Sequence, residues 1–264
     1  MSETEGVPQL TGEMFLFERP ELLSKDAHGK LGFKEPESRW GFCSHARGVP
    51  ITAAEVPAAM KNFPIIIVNH ENPALIAALG LIDEVNLFVD DQGKWENNTY
   101  VPGYIRRYPF GVASEDNGER FAVVVDRAFA GLVEGGEVSL FENGVPTENT
   151  QRALDFVQRY EAERAATQKF CARLKELDLL QAQNANFTPE GESKPTPFAE
   201  YIGINEEKLA ALDDKVIGEL HREGYLALIF AMLMSLGNWP MLVNRRAQRF
   251  DLRGADALKP LPKN

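Results

Sequence analysis

"ENGVPTENTQRALDFVQRYEAERAATQKFCARLKELDLL", residues 142–180, is where the chain changes character. Residues 142–146, "ENGVP", are turn formers. From about residue 149 to residue 180 the composition is then dominated by Gln, Arg, Ala, Glu and Leu, all good helix formers. Leu154, Val157 and Tyr160 recur at helical spacing, and Phe170, Leu174 and Leu177 resume the stripe after a stretch of alanines. A long helix is predicted here.

Upstream, the apolar residues come in short runs instead: "FPIIIV" at 63–68, "NLFVD" at 86–90 leading into the turn "DQGKW", and "RFAVVVD" at 120–126 behind the turn formers "EDNG" at 115–118. Such continuous runs predict strands buried on both faces. One helix interrupts them at "TAAE", where Thr52 caps and Glu55 reaches back to complete a capping box, and Pro57 keeps it short or kinked. Downstream, residues 183–197, "QNANFTPEGESKPTP", hold three prolines and no apolar period, so a connection or mobile flap is expected. Helix returns at "NEEKLAAL" with Asn205 as its cap, and again from Asp213.

Strands gathered before helices predict an α+β fold, because a parallel α/β sheet would alternate the two. The expected organisation is one compact unit over residues 10–255. Its strand-rich half is 10–145 and its helical half 146–255, with long helices on one face of the sheet and flexible termini at 1–9 and 256–264.

With 44% hydrophobic residues in 264, the chain can build a sizeable core. Its 39 acidic residues against 28 basic ones give a net charge of −11, which excludes a general nucleic-acid binder that meets phosphates with a basic face. The opening "MSETEGVPQLTGEMF" has three glutamates and no basic residue, unlike a secretory leader, and predicts a cytoplasmic location. Cys43 and Cys171 are isolated, so no disulfide framework or cysteine-rich zinc site is expected. Residues 224–244 carry no charge, but the continuous apolar part is only 225–236 before Gly237, Asn238 and Pro240 intervene. That length predicts a core helix rather than a stable membrane span. Arg245, Arg246 and Arg249 then complement the helix C-terminus.

Phosphate-loop, dinucleotide and nucleophile-elbow motifs are missing from the sequence. Cys43, His45, His70 and Glu71 are residue types that bind zinc or iron, and Cys43-x-His45 on a strand would share a face. They lack a repeated ligand spacing, so neither metal nor cofactor is expected. The strongest surface candidate is "YVPGYIRRYPF", residues 100–110. Arg106 and Arg107 offer planar forks that pair with carboxylate or phosphate, and Tyr104 and Tyr108 can stack on them or add hydrogen bonds. These four are the candidate ligand-binding residues. Pro102 starts a short helix that Pro109 ends; adjacent side chains diverge, so Arg107 is expected to be structural and Arg106 exposed.

Taken together, "VPITAAEVPAAMKNFPIIIV", "LGLIDEVNLFVDDQGKW", "YVPGYIRRYPF", "LFENG" and "LHREGYLALIFAMLMSLGNWPMLVNR" resemble the bacterial SapC family, over roughly residues 50–246. Trp239-Pro240 depart from the family pattern and put an uninterrupted final helix in question. The resemblance implies association with a bacterial surface layer and a functional link to TonB-dependent receptors or halogenase-like flavoproteins. It brings no catalytic residues. With the unlabelled N-terminus, the expected function is a cytoplasmic accessory protein, non-enzymatic, that recognises a peptide or protein partner linked to envelope or uptake systems. The alternative is an enzyme modifying a peptide or small carboxylate metabolite beside a flavoprotein, with Arg106 or Arg107 holding the carboxylate.

Overall fold

A computed structural model describes residues 13–115, 120–189 and 192–261. In chain order its strands are β1 (Pro20–Leu22), β2 (Leu31–Phe33), β3 (Gly48–Pro50), β4 (Ile65–Val68), β5 (Ala74–Ala78), β6 (Phe110–Glu115), β7 (Arg120–Asp126), β8 (Leu132–Glu134), β9 (Val138–Ser139), β10 (Phe141–Glu142), β11 (Val145–Pro146), β12 (Leu180–Phe187) and β13 (Thr196–Ile204). The α-helices are α1 (Lys25–His28), α2 (Val56–Ala59), α3 (Gly103–Arg106), α4 (Glu148–Glu176), α5 (Glu206–Ala210), α6 (Asp214–Arg222), α7 (Tyr225–Ser235) and α8 (Trp239–Arg249). Antiparallel sheets with separate helices make the fold α+β.

The chain divides into two compact units, each assembled from two segments, where the sequence pattern suggests one. The first takes residues up to 42 and 107–159. Its sheets run β1-β7-β6 and β8-β2-β9, with β10 and β11 as a hairpin across the predicted turn. The valine run of β7 buries Val124 and Val125 on opposite faces, as two-sided burial requires, and Val125 joins Leu31, Phe110, Leu132, Leu140 and Val157 in the core. Asp126, at the end of this strand, is fully buried and accepts four hydrogen bonds: from the backbone N–H groups of Glu18 and Arg19 at 2.9 Å, from that of Ala128 at 3.0 Å, and from the Tyr108 hydroxyl at 3.0 Å. The predicted turn at 115–118 falls largely on residues 116–119, outside the described ones.

The second unit takes residues 43–106 and 160 onward. Its five-stranded sheet has the order β12-β13-β4-β5-β3. The run at 63–68 supplies β4, which alternates inward Ile65 and Ile67 with a half-exposed Ile66 and exposed Val68 rather than burying both faces. Ser235 on α7 seals the helix to the sheet: its Oγ accepts the Ile65 N–H at 2.8 Å. The capping box at Thr52 and Glu55 forms, and the helix behind it is a 3-10 turn (Ala53–Glu55) followed by the short α2, as Pro57 dictates.

Several expectations need correction. Residues 86–90 are not a strand: Val89 makes only an isolated bridge to Trp95, and the carbonyls of Asn86 and Val89 accept from Arg249 Nη1 at 3.0 and 2.6 Å. Asn86 itself is buried, donating to the Cys43 carbonyl and accepting from the Phe88 N–H. Side chains thus satisfy backbone that a neighbouring strand would otherwise serve. Of the expected connection or flap at 183–197, residues 183–187 belong to β12 and 196–197 to β13, which pair as a hairpin, so the C-terminal half is not purely helical. Gln181, Asn184 and Asn186 are exposed on this edge strand and Gln183 is half-buried, donating to the Ile204 carbonyl at 2.9 Å, so the apolar period that marks a buried strand has no reason to appear. Residues 1–9 and 262–264 lie outside the described ones, but residues 256–261 are tied down rather than loose. Arg246, 1% exposed, donates from Nε and Nη2 to Asp83 Oδ2 at 2.8 and 2.6 Å, from Nη1 to the Ala257 carbonyl at 2.7 Å, and from Nη2 to the Lys259 carbonyl at 2.6 Å. Asp83 Oδ1 accepts the Leu261 N–H at 2.9 Å. The three arginines after α7 are therefore anchors, not merely dipole partners: Arg245 lies 4.5 Å from the Phe88 ring centroid and pairs with Glu96, and Arg249 pairs with Asp91.

Candidate functional site

Thr52 and Glu55 lie next to the C-terminal half of α4, and their hydrogen bonds reach well beyond a helix cap. Glu55 Oε2 accepts the Thr52 N–H at 2.8 Å and its hydroxyl lies 3.1 Å away. Glu55 Oε1 accepts the Gly103 N–H at 2.5 Å and the Tyr100 hydroxyl at 3.0 Å. A Cβ at Gly103 would come within 3.1 Å of this carboxylate and 3.2 Å of the Tyr160 ring, so any larger residue would need these neighbours to give by a few tenths of an ångström. On α4, the Thr167 hydroxyl accepts the Ala53 N–H at 2.8 Å, and Glu163 Oε2 lies 3.2 Å from Thr52 Oγ. These bonds fix the helix against the segment that follows β3.

Beside them runs a groove of about 790 Å³. Ile51, Leu75, Tyr160 and Cys171 form an apolar floor, while Arg164, Gln168, Lys175, Glu71 and Glu176 stand along its rim. Lys175 donates to the Glu71 carbonyl at 2.9 Å and its carboxylate at 3.2 Å, and Arg164 donates to Glu161 at 2.6 Å. Two basic and two acidic side chains make this rim electrically balanced, unlike the chain as a whole. A concave site of this volume with an apolar lining and few polar groups has the general form of a ligand site.

The groove's cysteine is a packing residue. Burial pushes the Cys171 thiol from 9.0 up to about 11, against a weaker opposing hydrogen bond at Leu75, and burial likewise pushes Cys43 up to about 12. Both thiols stay protonated near neutral pH, where a nucleophilic cysteine must be thiolate. Native protein at pH 8 should therefore resist iodoacetamide at both cysteines, and both should label once urea unfolds it; rapid native labelling at Cys171 would show an activated thiol. The sign of the linkage follows: a raised folded-state value favours folding below about pH 9, and that contribution is lost as pH climbs through 11 and 12.

The stretch at 100–110 is split between the units: Tyr104 and Arg106 belong to the second, Arg107 and Tyr108 to the first. Tyr104 is buried, with its ring 6.2 Å from that of Tyr160. Arg106 is exposed, lies 5.4 Å from the Tyr100 ring centroid and donates to its hydroxyl at 3.0 Å. Tyr100 is pushed up to about 12, mainly by burial and then by the Glu55 charge. Arg107 is buried, and Tyr108 stacks on Phe42 at 3.8 Å between ring centroids; burial, with Asp126 beside it, raises its hydroxyl well above the usual range. Cys43 is buried in a 3-10 turn (Gly41–Cys43) rather than on a strand, while His45 and His70 are exposed, so Cys43 and His45 do not share a face. Among the described residues no group of three or more His, Cys, Asp or Glu side chains is placed to hold a metal ion.

The SapC family model matches residues 23–242, which take in the whole groove and most of each unit. The chain belongs to the SapC family. No curated protein matches it, and no solved structure does. For this SapC-family chain the groove is what sequence reading missed: Glu55 was legible as a cap, but its partners Tyr100 and Gly103 lie 45 and 48 residues away. The one local signal is the glycine of "VPGY" at 103, three residues before Arg106.

Proposed function

We propose that this SapC-family protein is a non-enzymatic binding protein that takes an extended peptide, or a segment of a protein partner, in the groove beside α4. The observation that supports this reading is the groove's form: an apolar floor for side chains and a balanced polar rim. Ala74 and Leu75 of β5 line it, and the Leu75 carbonyl already accepts the Ile51 N–H at 3.2 Å, so a bound segment is held by the floor and the rim rather than by a strand edge. In this proposal the partner belongs to envelope or uptake systems, the protein works in the cytoplasm, and TonB-dependent receptors or halogenase-like flavoproteins act in the same process.

Ala172 gives a clean test, because it is exposed and lines the groove without entering the core. Peptides selected from a random display library against the parent protein should carry apolar anchors and bind with micromolar affinity. Ala172→Trp should fill the groove, weaken those peptides about tenfold or more, and leave the melting temperature unchanged. Peptides that bind parent and variant equally would overturn the assignment of the groove. Conversion of a bound peptide to a product of different mass would replace this reading with the enzymatic one.

A further inference from the structure

The apolar stretch after Gly224 was expected in the core, and only one face of it is there. Ile229, Met232 and Ser235 of α7 are buried, with Trp239, Leu242 and Val243 of α8, whereas Phe230, Met234 and Met241 are 46%, 68% and 39% exposed. A 3-10 turn (Leu236–Asn238) joins the two helices, and residues 225–249 run as one rod that by length and composition alone could also cross a membrane. Ala227, Phe230, Met234, Gly237 and Met241 are all exposed, and they follow one another at intervals of three, four, three and four residues. That is the spacing of a coiled-coil seam, here on a face that the described residues leave uncovered.

Gly237 is the independent observation. A Cβ there would meet nothing within 4 Å, and its backbone is not in the left-handed region, so the single chain has no use for a glycine at this point. A glycine inside a helix costs stability relative to alanine. What it offers is close approach of another backbone.

We propose that this stripe is a two-fold interface between two copies of the chain, with the 225–249 rods packed antiparallel. When positions whose numbers sum to 464 face each other, Phe230 meets Met234 of the second copy and Ala227 meets Gly237, each pair twice. Large residues then fill the layers while small ones let the backbones close. The stripe suits a second copy in charge as well. Each chain carries −11, and residues 224–244 are free of charge, so the seam brings no like charges together. Closed two-fold pairing is the commonest form of soluble assembly.

Sedimentation equilibrium of the full chain should show a dimer that dissociates on dilution. Phe230→Lys and Met234→Glu, both at exposed sites, should each give a folded monomer, and mixing the two should restore a mixed dimer through the Lys–Glu layer. Gly237→Ala should weaken dimerisation about tenfold, yet raise the melting temperature of the monomeric Met234→Glu background, an opposition that a purely structural glycine would not show. A parent protein that sediments as one chain at every concentration would overturn the proposal. So would a dimer untouched by Met234→Glu, singly mutated monomers that fail to pair when mixed, or monomers that float with phosphatidylcholine vesicles.

Discussion

Arg246→Ala is expected to destabilise the second unit by about 3–5 kcal/mol, the range for removing one partner of a buried ion pair. The guanidinium is 1% exposed and its three nitrogens reach Asp83 and the carbonyls of Ala257 and Lys259, so truncation strands a carboxylate and two backbone acceptors together. Lysine should rescue little, because one ammonium cannot serve acceptors arranged around a planar fork. Urea denaturation followed by tryptophan fluorescence measures the loss, and limited proteolysis should cut within residues 254–261 of the variant before the rest. A loss under about 1 kcal/mol would mean that water reaches the site and that the arginine is not an anchor.

Why this anchor was invisible in the sequence is instructive. "RRAQR" after an apolar helix has a sufficient local explanation in the helix dipole, and nothing local points to Asp83 or to residues 257–259. The same limit explains the false strand at 86–90, whose apolar run is genuine but whose Asn86 and Val89 carbonyls are taken by Arg249. Features decided within a few residues were legible: the Thr52–Glu55 box, the Asn205 cap, the turn that becomes the β10–β11 hairpin, and the long helix that starts at Glu148. Features decided by distant partners were not. The candidate groove lies in that second class, since Leu75 on β5 and the pair Tyr160 and Cys171 on α4 come from segments far apart in sequence. The α7 stripe failed for another reason: a helix apolar on every side carries no periodicity to say which face is buried.

Asp126→Ala should be nearly as damaging, at about 3–5 kcal/mol, and in the first unit. Four donors converge on this carboxylate, three of them backbone N–H groups on residues that are themselves exposed, so each lost bond costs about 1 kcal/mol net. Asp126→Asn should recover part of the loss, since one oxygen remains, while its NH₂ must face a donor. Tyr108→Phe removes a single donor and should cost about 1 kcal/mol. Thermal melts of the three variants should rank in that order, Asp126→Ala lowest; equal melts for Asp126→Ala and Tyr108→Phe would show that the segment before β1 is not held by this side chain.

Both units are discontinuous: the chain passes from the first to the second after residue 42, back after 106, and over again after 159. During synthesis, therefore, neither can be finished in turn. When residue 106 leaves the ribosome, β3, β4 and β5 exist without β13, which fills the open edge of β4, and β1 awaits β7. Unpaired strand edges in such a nascent chain are open to wrong pairing until the later segments emerge. No single stop codon or cloning boundary releases either unit whole, so a gene fragment encoding one of them would have to be permuted or stitched from two pieces.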